Sequence, residues 1–387
     1  MKAGVIGLGA RAANVAAKLH SASSDLDFVA YCDPTPAGLS ALEAATGSTL
    51  KSYDDLDQML ASETLDLLMI ATPNYKHIDQ LETALRSDVK HIFCEKPVVI
   101  SEAETMRLMG LLRDHGGRER IMVGLVLRYA PLYKAVRQAQ SDGVLGDIVS
   151  IEASEHIAPH HGSFFHRDWR RHAAKSGGFM LEKCCHDIDL YQGIAGARPS
   201  YVASFGGRKV FVPENQSLSA RFSIPDTPGK VSSFRPRWGG SADDAYTSDG
   251  DIVDYQTSIV EYDNGVNLCF HTTLNAPDEF RRFAVFGTQG MAEGDFNRNY
   301  LRIHDIGGEL LVDRGDLDRD GASHSLSDEE MARDVAAYLA DGTPLPVTVL
   351  DALVAGLTAI KMDEARQLRS VVDLRDTWQQ FDSYGLS

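Results

Sequence analysis

Between residues 181 and 190 the chain runs LEKCCHDIDL, placing Glu182, Cys184, Cys185, His186, Asp187 and Asp189 within eight positions. Three chemistries draw on such a set: metal ligation, thiol redox and acid/base catalysis. Neighbouring residues in a helix point about 100 degrees apart, so Cys184, Cys185 and His186 do not converge comfortably on one ion. No second Cys/His pair at ligand spacing supports a metal site, and a disulfide between chain neighbours is strained. The two thiols are therefore expected to pack, with redox sensitivity and metal binding as the lesser readings. Glu182 and His186 stand four residues apart and share a helical face, where a carboxylate can orient an imidazole and tune its charge. An unperturbed imidazole titrates near pH ~6.5, which suits proton transfer around neutrality.

The segment leading into this helix is HIAPHHGSFFHRDWRRHAAKSGG, with five His, three Arg, a Lys and a Trp in an otherwise acidic protein. One reading is a solvated loop whose charges pair with local acids. In the other, Trp169 stacks on a sugar ring while Arg170, His156 or Lys183 bind hydroxyls or an anionic substituent.

The elements that must position these groups fall into two regions. From residue 3 to about 125, short apolar runs (AGVIG, LDFVAYC, LDLLMIA, VKHIFC, RIMVGL) alternate with amphipathic stretches at helical spacing, as in a doubly wound parallel α/β domain. Beyond about 145 the pattern changes to longer alternating strands, including GDIVSIEASEHIA, YVASFGGRKVFV, QTSIVEY, VNLCFHTTL and RRFAVFGT, and predicts an antiparallel sheet with one face buried. Residues 225–250 suggest a long loop, and SLSDEEMARDVAAYLADG and VLDALVAGLTAIKMDEARQL are expected to be helices. The domains expected are 1–125, binding a dinucleotide, and 126–387, binding substrate.

Gly7, Gly9, Ala10, Arg11 and Ala12 form a glycine turn directly after the first strand and open the first helix. Gly7 permits the tight turn, Gly9 lets backbone approach a pyrophosphate, and Ala12 allows close helix packing, with the helix N-terminus receiving the anion. The second strand ends in YCDPT, placing Asp33 where a ribose diol binds; its carboxylate would repel a 2′-phosphate, favouring NAD over NADP. Lys96 follows the fourth strand, at the carboxyl edge where ligands bind in this architecture.

Composition limits the alternatives. At 387 residues, 43% hydrophobic and 24% charged, the chain can build two cores. Its net charge of −17 disfavours nucleic acid and anionic membranes. Five cysteines suit reduced thiols better than a disulfide framework. The N-terminal run passes straight into a glycine turn without a signal-peptide pattern, so a cytoplasmic protein is expected.

Taken together, the GxGxRA turn, ATPN with a His three residues on, and EKP resemble the glucose-fructose oxidoreductase and inositol dehydrogenase family, Gfo/Idh/MocA. The resemblance extends over nearly the whole chain through LRYAPLYKAVR, GDIVSIEA and FGTQGMAEGDF. It implies a Rossmann domain followed by an open antiparallel sheet that often mediates homo-oligomers, a cis Lys96–Pro97 peptide, and cofactor contacts from Thr72, Pro73, Asn74, His77, Glu95 and Lys96. It further implies that an Asp and a His four residues apart join the EKP lysine around the reacting hydroxyl. His186 matches that histidine. Glu182 stands where the Asp is usual, Lys183 where an apolar residue is usual and Cys184 where a glycine is usual; Arg128 sits where a substrate-facing residue often occurs.

Three functions stay open on these residues. The first is an NAD-dependent dehydrogenase for a ring hydroxyl of a sugar, glycoside or cyclitol, with His186 as base and Lys96 as polarising cation, or the reverse. The second is an oxidoreductive glycosidase, which oxidises a hydroxyl transiently, eliminates the aglycone and rereduces the product. The third is a dinucleotide-sensing regulator, which would have no need of Lys96 and His186 as proton-transfer groups.

Overall fold

The computed structural model describes residues 1–23, 25–217, 243–315 and 325–386, the side chains of 325 and 326 aside. The chain divides into two compact units, one of Met1–Ala130, His324–Leu357 and Asp376–Ser387, the other of Pro131–Ser323 and Thr358–Arg375.

In the first unit, strands β1 (Lys2–Ile6), β2 (Asp27–Cys32), β3 (Lys51–Ser52), β4 (Leu67–Ile70), β5 (His91–Cys94) and β6 (Ile121–Val123) form one sheet in the order β3-β2-β1-β4-β5-β6. Every pairing is parallel. All four residues of β4, LLMI, are buried, as expected of a parallel strand covered on both faces. The five strands expected here are all present; β3 is too short to show a period. The order of strand addition reverses between β1 and β4, and ligands of this architecture bind beyond the strand ends at that switch.

The chain comes back to the first unit twice after the expected break at 125, at His324–Leu357 and at Asp376–Ser387. Helix Ser325–Asp341 packs on helix Ala10–Ala22 of the first unit. Arg11 holds Asp328 through two hydrogen bonds of 2.6 and 2.8 Å, and Lys18 reaches Glu329 at 3.1 Å. Periodicity locates a helix but not the surface its polar residues will pair with.

The second unit holds β7 (Ile148–His156), β8 (Pro199–Gly207), β9 (Tyr255–Tyr262), β10 (Asn267–Thr273), β11 (Arg282–Gly287), β12 (Gly290–Asp295), β13 (Tyr300–Asp305), β14 (Leu310–Arg314) and β15 (Val372–Asp373). They form one sheet in the order β14-β13-β12-β11-β7-β10-β9-β8-β15, antiparallel except for β7 against β10. Along β9, Gln256, Ser258, Val260 and Tyr262 are buried while Thr257, Ile259 and Glu261 are exposed, so one face packs and the other is open. Helix Phe179–Ala195 lies on the packed face.

Strand β8 stops at Gly207, short of the run expected to 212. Asp254 accepts the N–H groups of Lys209, Val210 and Phe211 at 3.0, 2.7 and 3.0 Å and turns the chain out of the sheet. Of the expected 225–250 loop, 225–242 lies outside the described residues. The rest contains neither helix nor strand and is gathered by Arg208, which donates to Ala245 O at 3.2 Å and Gly250 O at 2.6 Å.

Candidate functional site

Gly7 has φ +83, and a Cβ there would lie 2.6 Å from the Ala71 carbonyl carbon, so only glycine suits the turn. Gly9 differs: a Cβ would meet nothing within 4 Å, so the protein's own packing gives no reason for glycine there. Helix Ala10–Ala22 starts at Gly9 with no side-chain cap and no acidic residue in its first turn. Elsewhere in this unit Asp55 caps Gln58 N and Ser101 caps Glu104 N. An uncapped N-terminus reached through glycine with open space beside it fits a dinucleotide pyrophosphate. Ala12 is buried, as close packing of this helix requires.

Asp33 is partly exposed at the end of β2, with Leu8 N–H donating to Oδ2 at 2.6 Å and Thr35 N–H to Oδ1 at 2.7 Å. Each carboxylate oxygen keeps further acceptor capacity for a ribose hydroxyl. Arg11 is turned to protein acids, Asp328 and Glu95, the latter at 3.4 Å. The Lys96–Pro97 peptide is cis, as the resemblance implied.

His77 is fully buried, its Nδ1 2.9 Å from Pro97 O and its Nε2 2.9 Å from Thr72 O. It thereby ties the loop after β4, which carries Thr72, Pro73 and Asn74, to the loop after β5, which carries Glu95 and Lys96. Thr72 Oγ1 donates to Gln80 at 2.6 Å, and Asn74 is buried. The histidine expected to meet cofactor is instead the clasp between two loops expected to do so. Arg128 lies in this unit, on the short 3-10 turn Val126–Tyr129.

In the second unit, helix Phe179–Ala195 is buried around nearly its whole circumference, Glu182, Lys183, His186 and Asp187 included. Glu182 and His186 lie one turn apart. Glu182 Oε1 accepts from Arg170 Nε at 3.2 Å. The Arg170 guanidinium lies over Trp169 at 4.3 Å and over Phe164 at 4.4 Å. Three residues singled out by the sequence, Trp169, Arg170 and Glu182, thus meet, and Phe164 completes their cluster.

Lys183 and His156 go elsewhere. Lys183 Nζ lies 2.8 Å from Glu155, which also pairs with Arg281 Nε; Arg281 in turn reaches Asp187 at 3.0 Å. Two acids and two bases thus form a charge-balanced buried quartet between helix and sheet. Burial pushes the Asp187 carboxyl up, with Glu155 adding and Arg281 opposing. Burial would raise Glu155 too, but Arg281 and Lys183 hold it below its ordinary value. His156 follows Glu155 on β7 and so faces the opposite side, where its Nε2 is 2.6 Å from His271 Nδ1 and its ring meets Phe280 edge-on at 4.1 Å. Burial and then His271 push His156 down to about 4.

Glu155 and Arg281 had a signal in the sequence. Glu155 shares the strand parity of Ile151 and Ala153, and Arg281 that of Phe283 and Val285, all buried. A charge on the apolar phase of a strand calls for a buried partner. Cys184 and Cys185 are buried and form no disulfide, Cys184 Sγ lying 3.8 Å from Thr272 Oγ1.

A doubly wound sheet with this glycine turn and acidic β2 terminus, followed by a helix carrying buried acid/base groups on an open sheet, defines a dinucleotide-binding oxidoreductase architecture. Residues 1–125 match the profile described as oxidoreductase family, NAD-binding Rossmann fold, and residues 133–293 that of the GFO/IDH/MocA C-terminal domain. The chain belongs to the Gfo/Idh/MocA family. It is 30% identical to inositol 2-dehydrogenase of Rhizobium meliloti over 203 residues, 52% of this chain and 57% of that protein. To the 2,7-anhydro-N-acetylneuraminate hydratase of Escherichia coli it is 25% identical over 195 residues, 49% of this chain and 50% of that one. The chain thus spans about half the length of these two curated relatives. A solved oxidoreductase from Agrobacterium radiobacter, in complex with NAD+, L-tartaric acid and magnesium, shares the fold with a TM-score of 0.72 at 17% identity, over 97% of this chain and 98% of that one.

Proposed function

We propose that this chain is an NAD-linked oxidoreductase that oxidises a secondary ring hydroxyl of a sugar, glycoside or cyclitol. The observation that carries this reading is the buried helix bearing Glu182 and His186 one turn apart, in a chain whose glycine turn opens an uncapped helix N-terminus. Bound nicotinamide dinucleotide supplies the hydride acceptor. Gly7, Gly9, Ala10 and Ala12 form the seat for its pyrophosphate, and Asp33 the seat for its adenosine ribose, which favours NAD over NADP. His186 takes the hydroxyl proton, Lys96 provides positive charge for the developing alkoxide, and Glu182 sets the orientation of the helix face. Arg128, Trp169 and Arg170 are the proposed substrate contacts; His156 and Lys183, committed to His271 and Glu155, are not. Replacement His186→Ala should lower hydride transfer by about 100-fold or more while leaving NAD affinity unchanged, measured by NADH formation and by calorimetry. Turnover retained in that variant would remove His186 from the proton-transfer role.

A second reading has its support in the Escherichia coli relative, whose name denotes a hydratase rather than a dehydrogenase. Transient oxidation, elimination and rereduction would engage the same residues and give aglycone release without net NADH. Measuring both products in one reaction separates the two.

Self-association of this chain is proposed through the open face of the nine-stranded sheet, where Phe205 and Ile259 are 67% and 54% exposed. Single subunits in sedimentation at micromolar protein would refute it. The cytoplasm is the proposed compartment, in keeping with five cysteines that form no disulfide.

A further inference from the structure

Arg170 is held in an unusual way for a partly exposed arginine. Its guanidinium lies over two aromatic rings, Trp169 at 4.3 Å and Phe164 at 4.4 Å, and its Nε edge is taken by Glu182. Among the described residues it makes this one hydrogen bond, through Nε, and no described residue takes the terminal Nη1/Nη2 edge. The side chain keeps 25% exposure against 8% for Glu182, so that edge is reachable. The N–H donors of a guanidinium lie in its plane, so a polar partner meets this edge in that plane. An in-plane pair of N–H donors matches the two oxygens of a carboxylate, whereas a single hydroxyl satisfies only one of them. Contact with the two rings also removes conformational freedom that a free arginine would lose on binding.

Position adds to this. Glu182 belongs to the first turn of helix Phe179–Ala195, whose N-cap Gly178 offers no side-chain cap, so the positive end of the helix lies on the same side as the arginine. Glu182 is one helical turn, about 5.4 Å, from His186, roughly the span from a ring carboxylate to a hydroxyl across the same sugar.

We infer that Arg170 is a specificity-determining residue that takes the carboxylate of an acidic sugar, making the substrate class a uronate or related sugar acid rather than a neutral sugar. This rests on the sugar-oxidising reading above and narrows it. The test uses the whole protein loaded with NADH for binding, or with NAD for turnover, against pairs that differ only in CH2OH or carboxylate: glucose and glucuronate, galactose and galacturonate, and their aryl glycosides. Calorimetry should show at least one acid binding at least ~10-fold more tightly than its neutral partner. Arg170→Met should erase that ratio, and Arg170→Lys, which keeps the charge but loses the planar fork, should retain only part of it. Equal affinities within every pair, or no binding of any acid, would overturn the inference, as would an acid-to-neutral ratio unchanged in Arg170→Met. Preference for the acid without NADH formation would leave the fork standing and refute the hydride chemistry. NADH formation with equal affinities would do the reverse.

Discussion

Asp33 and Arg11 lie close together in the glycine turn region and divide the work differently from what their types suggest. Asp33 spends one lone pair of each oxygen on Leu8 and Thr35 N–H groups, which fixes the carboxylate at the β2 terminus with its remaining acceptors available. Arg11, a natural partner for a phosphate, is committed to Asp328 and Glu95. If Asp33 receives the ribose as proposed, its fixed negative charge, without a free cation from Arg11, would favour NAD. Replacement Asp33→Ala should reduce the ratio of kcat/KM with NAD to that with NADP by ~10-fold or more, and an unchanged ratio would remove Asp33 from cofactor selection. At this scale the sequence exposed residue types well and their partners poorly. The turn at Gly7 and the shared helix of Glu182 and His186 are legible because both follow from spacing within one short segment. Lys183, His77 and His156 were chosen for ligands but are held by Glu155, by two backbone carbonyls and by His271, because partners distant in sequence decide the use of a polar group.

At the scale of elements, the helix bearing the acid/base pair is fixed from both sides. Its Lys183 and Asp187 pair with Glu155 and Arg281 of the second unit's sheet region, and Glu182 of its first turn meets Arg170. The segment before it, expected as a loop, instead folds into helices Pro159–Phe165 and Ala173–Ser176 around a 3-10 turn. His166 lies in this stretch, fully buried with its ring tilted against Phe211 at 4.6 Å and neither ring nitrogen hydrogen-bonded among the described residues. Burial, with Arg208 adding, pushes it down to about 3. The folded protein therefore keeps this ring neutral while the unfolded chain takes up a proton below pH ~6.5. Its contribution to stability is full above that pH and is lost as pH falls towards the folded value. Between pH 7 and 5 the loss from this group is about 2 kcal/mol. Urea unfolding of the His166→Leu variant should show a correspondingly shallower decline over that interval, and an identical pH slope in the two proteins would contradict the assignment.

At the scale of the molecule, the two-unit division was legible from the change between α/β alternation and long alternating strands. Element types followed because each period is local. The return of Ser325–Asp341 and of the last residues to the first unit was not, because amphipathic periodicity gives a helix a face and no destination. Among the described residues no helix is long and apolar enough to cross a membrane. The proposed reaction couples hydride transfer to nicotinamide with proton transfer by His186. The most direct test of that claim is to supply the protein with NAD and a panel of sugars, sugar acids, cyclitols and aryl glycosides deuterated at the ring carbinol carbons, and to analyse the nicotinamide by mass spectrometry. Oxidation of a ring hydroxyl predicts deuterium on the reduced cofactor from at least one substrate, and its loss in His186→Ala. A protein that binds NAD and acquires deuterium from none of them would contradict the account.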